Sequence, residues 1–271
     1  MPASDIRLIA TDMDGTLLNS KHELSDSFLP VFRKLKEQGI IFVAASGRQY
    51  YNLLKTLDAV KDEVIFAAEN GSYVMFQDEE IHVQAMDQNI VRDLIITSRN
   101  IPKTYAVICG KKKAYVESAE PEFIDHLKLY FERYEIVEDL LKVEDDQFLK
   151  FTLCDLAGSE GNSYPHYKHL QETLKVKVSG PIWLDISHLN ANKGVAMEVL
   201  QKKFNVSFDQ TMVFGDYLND LEMLQNGYYS YAMANAHEEV KEVARFRAKG
   251  NDENGVVEVL SEMLDSAATT V

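Results

Sequence analysis

Five short apolar runs, each ending in a polar or glycine-containing tip, constrain this chain more than any other feature. They cover residues 6–10, 40–45, 64–68, 211–214 and 228–232. Strands buried on both faces read as continuous hydrophobic runs, whereas half-solvated strands alternate. Segments of helical spacing separate them. Phe28, Leu29, Phe32 and Leu35 share a face in a helix predicted over 25–38, capped by Ser25 and closed by Gly39, and a second helix runs to about Leu57. Apolar strands alternating with helices predict an α/β chain whose doubly wound (Rossmann-like) parallel sheet is covered on both faces.

The texture changes in the middle. Residues 72–85 alternate like a hairpin turning at Asp78-Glu79-Glu80, and the segments between Met86 and Asp185 are amphipathic. Helices are predicted at 89–99, 120–132 and 165–174, and strands at 105–108, 114–116, 148–154, 176–179 and 183–186. Strands that alternate predict an α+β sheet with one wet face. The first texture then resumes, with a helix over 193–204, the last two apolar strands, and helical stretches around 237–244 and 255–264. The expected organisation is a discontinuous core, 1–84 and 188–271, interrupted by an inserted α+β cap, 85–187.

A formal charge of −15 over 271 residues argues against nucleic acid or an anionic membrane as partner. The basic run Lys111-Lys112-Lys113 reads as an exposed hairpin turn. Cys109 and Cys154 stand in no metal-ligand spacing and read as buried thiols of a reducing compartment. Residues 1–20 hold early acids and no apolar stretch with a cleavage site, and nowhere do eighteen apolar residues run together. The expectation is a cytoplasmic protein.

Four of the strand tips carry groups suited to phosphate or metal chemistry, and in open α/β sheets ligands bind outside the carboxyl ends of the strands. The first tip is Asp12-Met13-Asp14-Gly15-Thr16. If the strand stays extended through the pair, Asp12 and Asp14 project to one side, where two carboxylates repel unless a cation lies between them. Alone, the pair reads equally well as a strand ending in an Asp-Gly turn. Asp216 follows another strand, and Mg2+ takes one or two carboxylates in octahedral oxygen coordination. Asp12 and Asp216, with the backbone carbonyl of Asp14, would make such a site. Ser46-Gly47-Arg48 offers a hydroxyl, an amide and a helix start to an anion. Lys193 opens a helix, where a cation is unfavourable for the macrodipole, so its charge serves something else. Asn219 and Asp220 start a helix that needs only one of them as a cap. Asn70 and Asn235 sit at tips where turn-formers are expected. His22, His188 and His237 have no zinc-like partner at ligand spacing and read as incidental. No Gly-x-Ser-x-Gly elbow, Walker loop or Gly-x-Gly-x-x-Gly fingerprint occurs.

With Asp12-Met13-Asp14-Gly15-Thr16-Leu17, Ser46-Gly47-Arg48, Lys193 and Gly215-Asp216-Tyr217-Leu218-Asn219-Asp220 in order, the chain resembles the haloacid dehalogenase-like (HAD) phosphatases. It looks most like the Cof-type branch, whose type IIB α+β cap lies between the second and third motifs. Within it, 45–51 and Ala68-Glu69-Asn70-Gly71 resemble the bacterial sugar phosphatases. Ala234 and Tyr217 depart from the usual pattern without removing a catalytic group.

The resemblance implies a magnesium-dependent phosphatase of small phosphomonoesters, sugar phosphates foremost. Asp12 would be the nucleophile that becomes aspartyl-phosphate, and Asp14 the acid and base. Ser46 and Lys193 would stabilise the transferring group. Phosphate or substrate contacts fall to Met13, Ser46, Gly47, Arg48, Lys193 and Asn219, and metal contacts to Asp12, Asp14 and Asp216. Supporting positions are Thr16, which would orient Asp14, with Asn70, Asp220 and Asn235. A phosphomutase sharing the aspartyl-phosphate and a phospho-accepting regulator without turnover are the alternatives.

Overall fold

A computed structural model describes residues 6–268. Residues 1–5 and 269–271, which the sequence pattern assigns to the core, lie outside the described residues. The chain opens with β1 (Leu8–Asp12), α1 (Phe28–Glu37), β2 (Ile41–Ala45), α2 (Tyr50–Thr56) and β3 (Ile65–Ala68), then the strands β4 (Tyr73–Phe76) and β5 (Glu79–Val83). The middle holds α3 (Gln88–Ser98), β6 (Thr104–Gly110), β7 (Ala114–Val116), α4 (Pro121–Lys128), β8 (Tyr134–Ile136), β9 (Phe148–Asp155), α5 (Tyr164–Tyr167), β10 (Leu174–Gly180) and β11 (Trp183–His188). It closes with α6 (Lys193–Phe204), β12 (Thr211–Gly215), α7 (Leu221–Leu224), β13 (Tyr229–Met233), α8 (Glu238–Val243), β14 (Phe246–Ala248) and α9 (Gly255–Ala268). These elements form two compact units. The first takes residues up to Gly47, Thr56–His82 and those from Asn192 onward; the second takes Arg48–Lys55 and Val83–Ala191.

The first unit is built on an eight-stranded sheet of order β14-β13-β12-β1-β2-β3-β4-β5. From β14 to β3 every neighbouring pair is parallel, and β4 runs antiparallel to β3. β1 is buried at all five positions, as its continuous hydrophobicity requires. α1 lays Phe28 and Phe32 against Phe42 of β2, the three ring centroids 5.5–5.6 Å apart. Burying each such ring is worth about 1.5–3 kcal/mol. Sheet order reverses at β1, with β2 on one side and β12 on the other, which makes their carboxyl ends the topological switch point. The register pairs Asp12 with Ala45 and Thr11 with Phe214, so the tips of β1, β2 and β12 stand level.

The second unit holds a six-stranded sheet, β10-β11-β9-β6-β7-β8, antiparallel except for the β7–β8 pair. On one side Val91, Leu94 and Ile95 of α3 join a core with Ile108, Phe151, Leu184 and Ile186. On the other, Phe123 and Leu127 of α4 pack with Val107, Cys109 and Cys154, and Phe123 stacks on Tyr105. The expected wet face is therefore partly roofed, and β9 is buried along its whole length, Lys150 and Thr152 included. The Gln49 side chain ties the start of α2 into this unit. Its Oε1 accepts from the Glu132 and Arg133 amides, and its Nε2 donates to the Arg133 carbonyl.

Three sequence expectations change. α1 begins at Phe28, because the Ser25 hydroxyl bonds that of Ser27 while the Ser25 carbonyl takes the Phe28 amide, making a turn before the helix and not its cap. The helix expected over 165–174 is a single turn, α5, followed by a 3-10 turn, Lys168–Leu170. The intervening polar residues supply no apolar stripe, and the buried Leu174 is claimed by β10. β8 and β14, three residues each, are too short to reveal alternation and were not anticipated. Among the described residues no helix is long and apolar enough to cross a membrane.

Candidate active site

β1 delivers Asp12 into a nearly closed environment, with 6% of its surface exposed. Lys193, at the first turn of α6 and fully buried, reaches it. Its Nζ donates to Asp12 Oδ1 at 2.5 Å and to Asp220 Oδ1 at 2.6 Å. The local misfit of a cation at a helix start is thus resolved by two carboxylates. α6 itself is capped by Asn192, whose Oδ1 accepts from the Val195 amide. Asp220, also fully buried, spends its second oxygen on the backbone amides of Asp216 and Tyr217 at 3.0 and 3.1 Å. It thereby fixes the β12 tip that carries Asp216.

Asp216 accepts the Thr16 hydroxyl at 2.8 Å. That corrects the expectation that Thr16 orients Asp14. The reason is local: β1 stops at Asp12 and the chain turns at Met13, so Asp12 and Asp14 do not continue one extended strand. Gly15 makes the turn possible at φ +78°, and a β-carbon there would overlap the Asp216 carboxylate. Ligand oxygens of Asp12, Asp216 and Asp220 all lie within 4.8 Å of one another, whereas the Asp14 carboxylate bonds His22 Nδ1 at 2.8 Å.

Three carboxylates around one ammonium leave an excess of negative charge in a dry place. Burial drives the Asp12 carboxyl well above its usual range; Lys193 opposes the rise, while Asp220 and Asp216 add to it. Burial, then Asp220, pushes Asp216 up to about 6. Burial alone would lower Lys193, but Asp12 and Asp220 outweigh it and hold the ammonium charged. All-oxygen donors with excess negative charge fit a hard divalent cation. Because Asp220 already serves Lys193 and two amides, the donors best placed for the ion are Asp12 and Asp216.

The remaining predicted residues divide. Ser46 is buried beyond β2, its amide on the Ala67 carbonyl and its carbonyl on the Asn70 amide. Gly47 lies against the Asn70 side chain, where a β-carbon would sit 3.2 Å from both amide atoms. Asn70 Oδ1 in turn accepts from Asn219 Nδ2 at 3.0 Å, joining two residues that the sequence treats separately. The Met13 side chain is fully buried, which leaves its backbone for any phosphate contact. Asn235 donates to the Gly15 carbonyl and so braces the turn. Arg48 falls in the second unit and donates to Asn52 one turn along. Sequence reasoning missed Asn192, although an Asn directly before a helix is a cap signal. It dismissed His22, which no spacing rule connects to Asp14.

The sequence profile of the haloacid dehalogenase-like hydrolases matches residues 9–260. The chain belongs to this family. Over 270 residues, 97% of this chain and 98% of its relative, it is 31% identical to the 5-amino-6-(5-phospho-D-ribitylamino)uracil phosphatase of Escherichia coli (strain K12). A crystal structure from Streptococcus mutans UA159 superposes with a TM-score of 0.84 at 31% identity, covering 96% of this chain and 99% of the other. The HAD subclass IIB sugar phosphatase BT4131 shares the fold at a TM-score of 0.78 and 20% identity, over 94% and 98% of the two chains. This HAD-like chain is therefore a phosphoric monoester hydrolase, with the parallel sheet core expected of it.

Proposed function

We propose that the protein is a magnesium-dependent phosphatase of small phosphomonoesters, chiefly sugar and polyol phosphates, acting through an aspartyl-phosphate on Asp12. The observation that carries this reading is the buried Asp12–Lys193–Asp220 arrangement at the sheet's switch point. The ammonium bonded to Asp12 opposes the protonation that burial favours, and a carboxylate with little water around it is an activated nucleophile. Asp12 attacks phosphorus in line, the bond to the ester oxygen breaks, and Asp14 gives that oxygen a proton. Asp14 then takes a proton from water, whose oxygen attacks the aspartyl-phosphate and releases inorganic phosphate and the Asp12 carboxylate.

Lys193, the Ser46 hydroxyl and the Gly47 amide meet the negative charge on the transferring group, the main requirement of phosphoryl transfer. Met13, through its backbone, Arg48 and Asn219 are further substrate contacts in this reading. Asp12 and Asp216, with the Asp14 carbonyl, would hold magnesium, which supplies charge that offsets repulsion between carboxylate and phosphate.

The substrate class has separate support. The Escherichia coli relative is named for a phosphate on a ribityl chain. The test is a panel of phosphate esters assayed for free phosphate with magnesium. Sugar and polyol phosphates are expected to be turned over with higher kcat/KM than nucleoside monophosphates, and excess chelator is expected to abolish activity. Preference for nucleotides would sink the substrate reading, persistence in chelator the metal reading, and transfer without free phosphate the hydrolytic one.

A further inference from the structure

His22 stands out among the groups that the proposed chemistry leaves unused. It is an exposed side chain on the loop after β1, yet its Nδ1 lies 2.8 Å from Asp14 Oδ1. A carboxylate oxygen only accepts, so the bonding proton sits on Nδ1. The backbone there is unusual too. His22 has φ +62°, the left-handed region that costs a side-chain-bearing residue energy.

The surrounding loop is built to hold that conformation. Asn19 closes it on itself: its Oδ1 accepts from the Lys21 and Glu23 amides, both at 2.9 Å. Its carbonyl takes the His22 amide and its own amide donates to the Glu23 carbonyl. The closed loop is then pinned from the far end of the chain. Asp252 accepts the Ser20 amide at 2.8 Å, and Asn251 Nδ2 donates to the Leu18 carbonyl at 2.9 Å. Asn251 is itself tied through its amide to Asn235, which braces Gly15. The turn bearing Asp14 and the loop bearing His22 are thus anchored to the same 3-10 turn, Asn251–Glu253. Their relative position is set by these side-chain-to-backbone bonds.

We infer that His22 is a positioning residue for Asp14. By fixing one carboxylate oxygen it fixes the carboxylate plane, and so where the other oxygen points for proton transfer. This rests on the reading of Asp14 as acid and base. Its signature is leaving-group dependence. An alkoxide must be protonated as it departs, whereas p-nitrophenolate leaves as the anion. Phosphorylation of Asp12, the step kcat/KM reports, therefore depends on Asp14 for the first ester and hardly for the second, while the later hydrolysis assisted by Asp14 is common to both.

The test compares one sugar phosphate from the panel with p-nitrophenyl phosphate, in wild type, His22→Ala and His22→Asn. Asn tolerates the left-handed backbone and places an N–H donor near the Nδ1 position. For the sugar phosphate, His22→Ala is expected to lower kcat/KM about tenfold, the worth of one hydrogen bond of this kind. Its kcat/KM on p-nitrophenyl phosphate is expected to stay within about twofold of wild type, and His22→Asn is expected to restore most of the sugar phosphate kcat/KM. Equal losses on both esters, no loss on either, or failure of Asn to restore the rate would overturn the inference. A wild type that releases phosphate from neither ester would overturn the phosphatase reading, and this inference with it.

Discussion

At Gly15 two requirements meet in one residue. The chain must turn at positive φ to leave the sheet after Asp12, and the Asp216 carboxylate occupies the space a β-carbon would need. Gly15→Ala combines backbone strain with a clash against a proposed metal ligand, and is expected to cost about 1–3 kcal/mol of stability. Turnover is expected to fall more than tenfold, since a misplacement of about 1 Å at a reacting centre costs on the order of a hundredfold. Thermal melting and kcat on one ester check this, and unchanged values for both would mean that the turn does not set the site. Asp12, Lys193 and Asp216 became candidates through the order of their motifs, since each alone reads as a turn or a solvated charge. The partners of Thr16 and His22 were not legible. Which carboxylate a side chain meets depends on how the chain turns after Asp12, and that turn is set by contacts from residues 200 or more positions away.

Among the elements, α6 does most to assemble the site. Its start must hold Lys193 beneath Asp12, and two features fix it there. Asn192 caps the helix, and Gly71, at φ +87°, comes so close to the Asn192 carbonyl that a β-carbon would strike it. Asn192→Ala is expected to lower stability by about 1 kcal/mol, as for other N-caps. It is also expected to reduce kcat through a loosened Lys193, while KM changes little. Denaturant titration and steady-state kinetics measure the two effects; a cap lost without any kinetic change would detach α6 from the chemistry. Long periodic elements were legible, α6 to the residue and the parallel strands to within two residues. The short ones were not, because three residues of β8 or β14 carry no period, and pairing with neighbours alone makes them strands.

Across the whole molecule, the order of the strand tips carried the most information. No one motif distinguishes a metal site from a turn, but a parallel sheet places all carboxyl ends on one edge. Residues 12, 46, 193 and 216, far apart in sequence, then become candidates for one place. Acidity fits the same picture: in a chain of formal charge −15, anionic substrate needs local positive charge, and Lys193 is buried where it provides some. What composition and pattern did not disclose is the assignment of Arg48–Lys55 to the second unit. Side-chain bonds such as those of Gln49 tie that segment to its unit, and they leave no periodic trace. Everything proposed for the site depends on a covalent step at Asp12. Asp14→Asn protein, mixed with p-nitrophenyl phosphate and magnesium and quenched in acid, is to be read by peptide mass spectrometry. One added phosphoryl group is expected on the peptide containing Asp12, absent when Asp12→Asn is introduced as well. Turnover with no adduct, or an adduct on another residue, would refute Asp12 as the nucleophile.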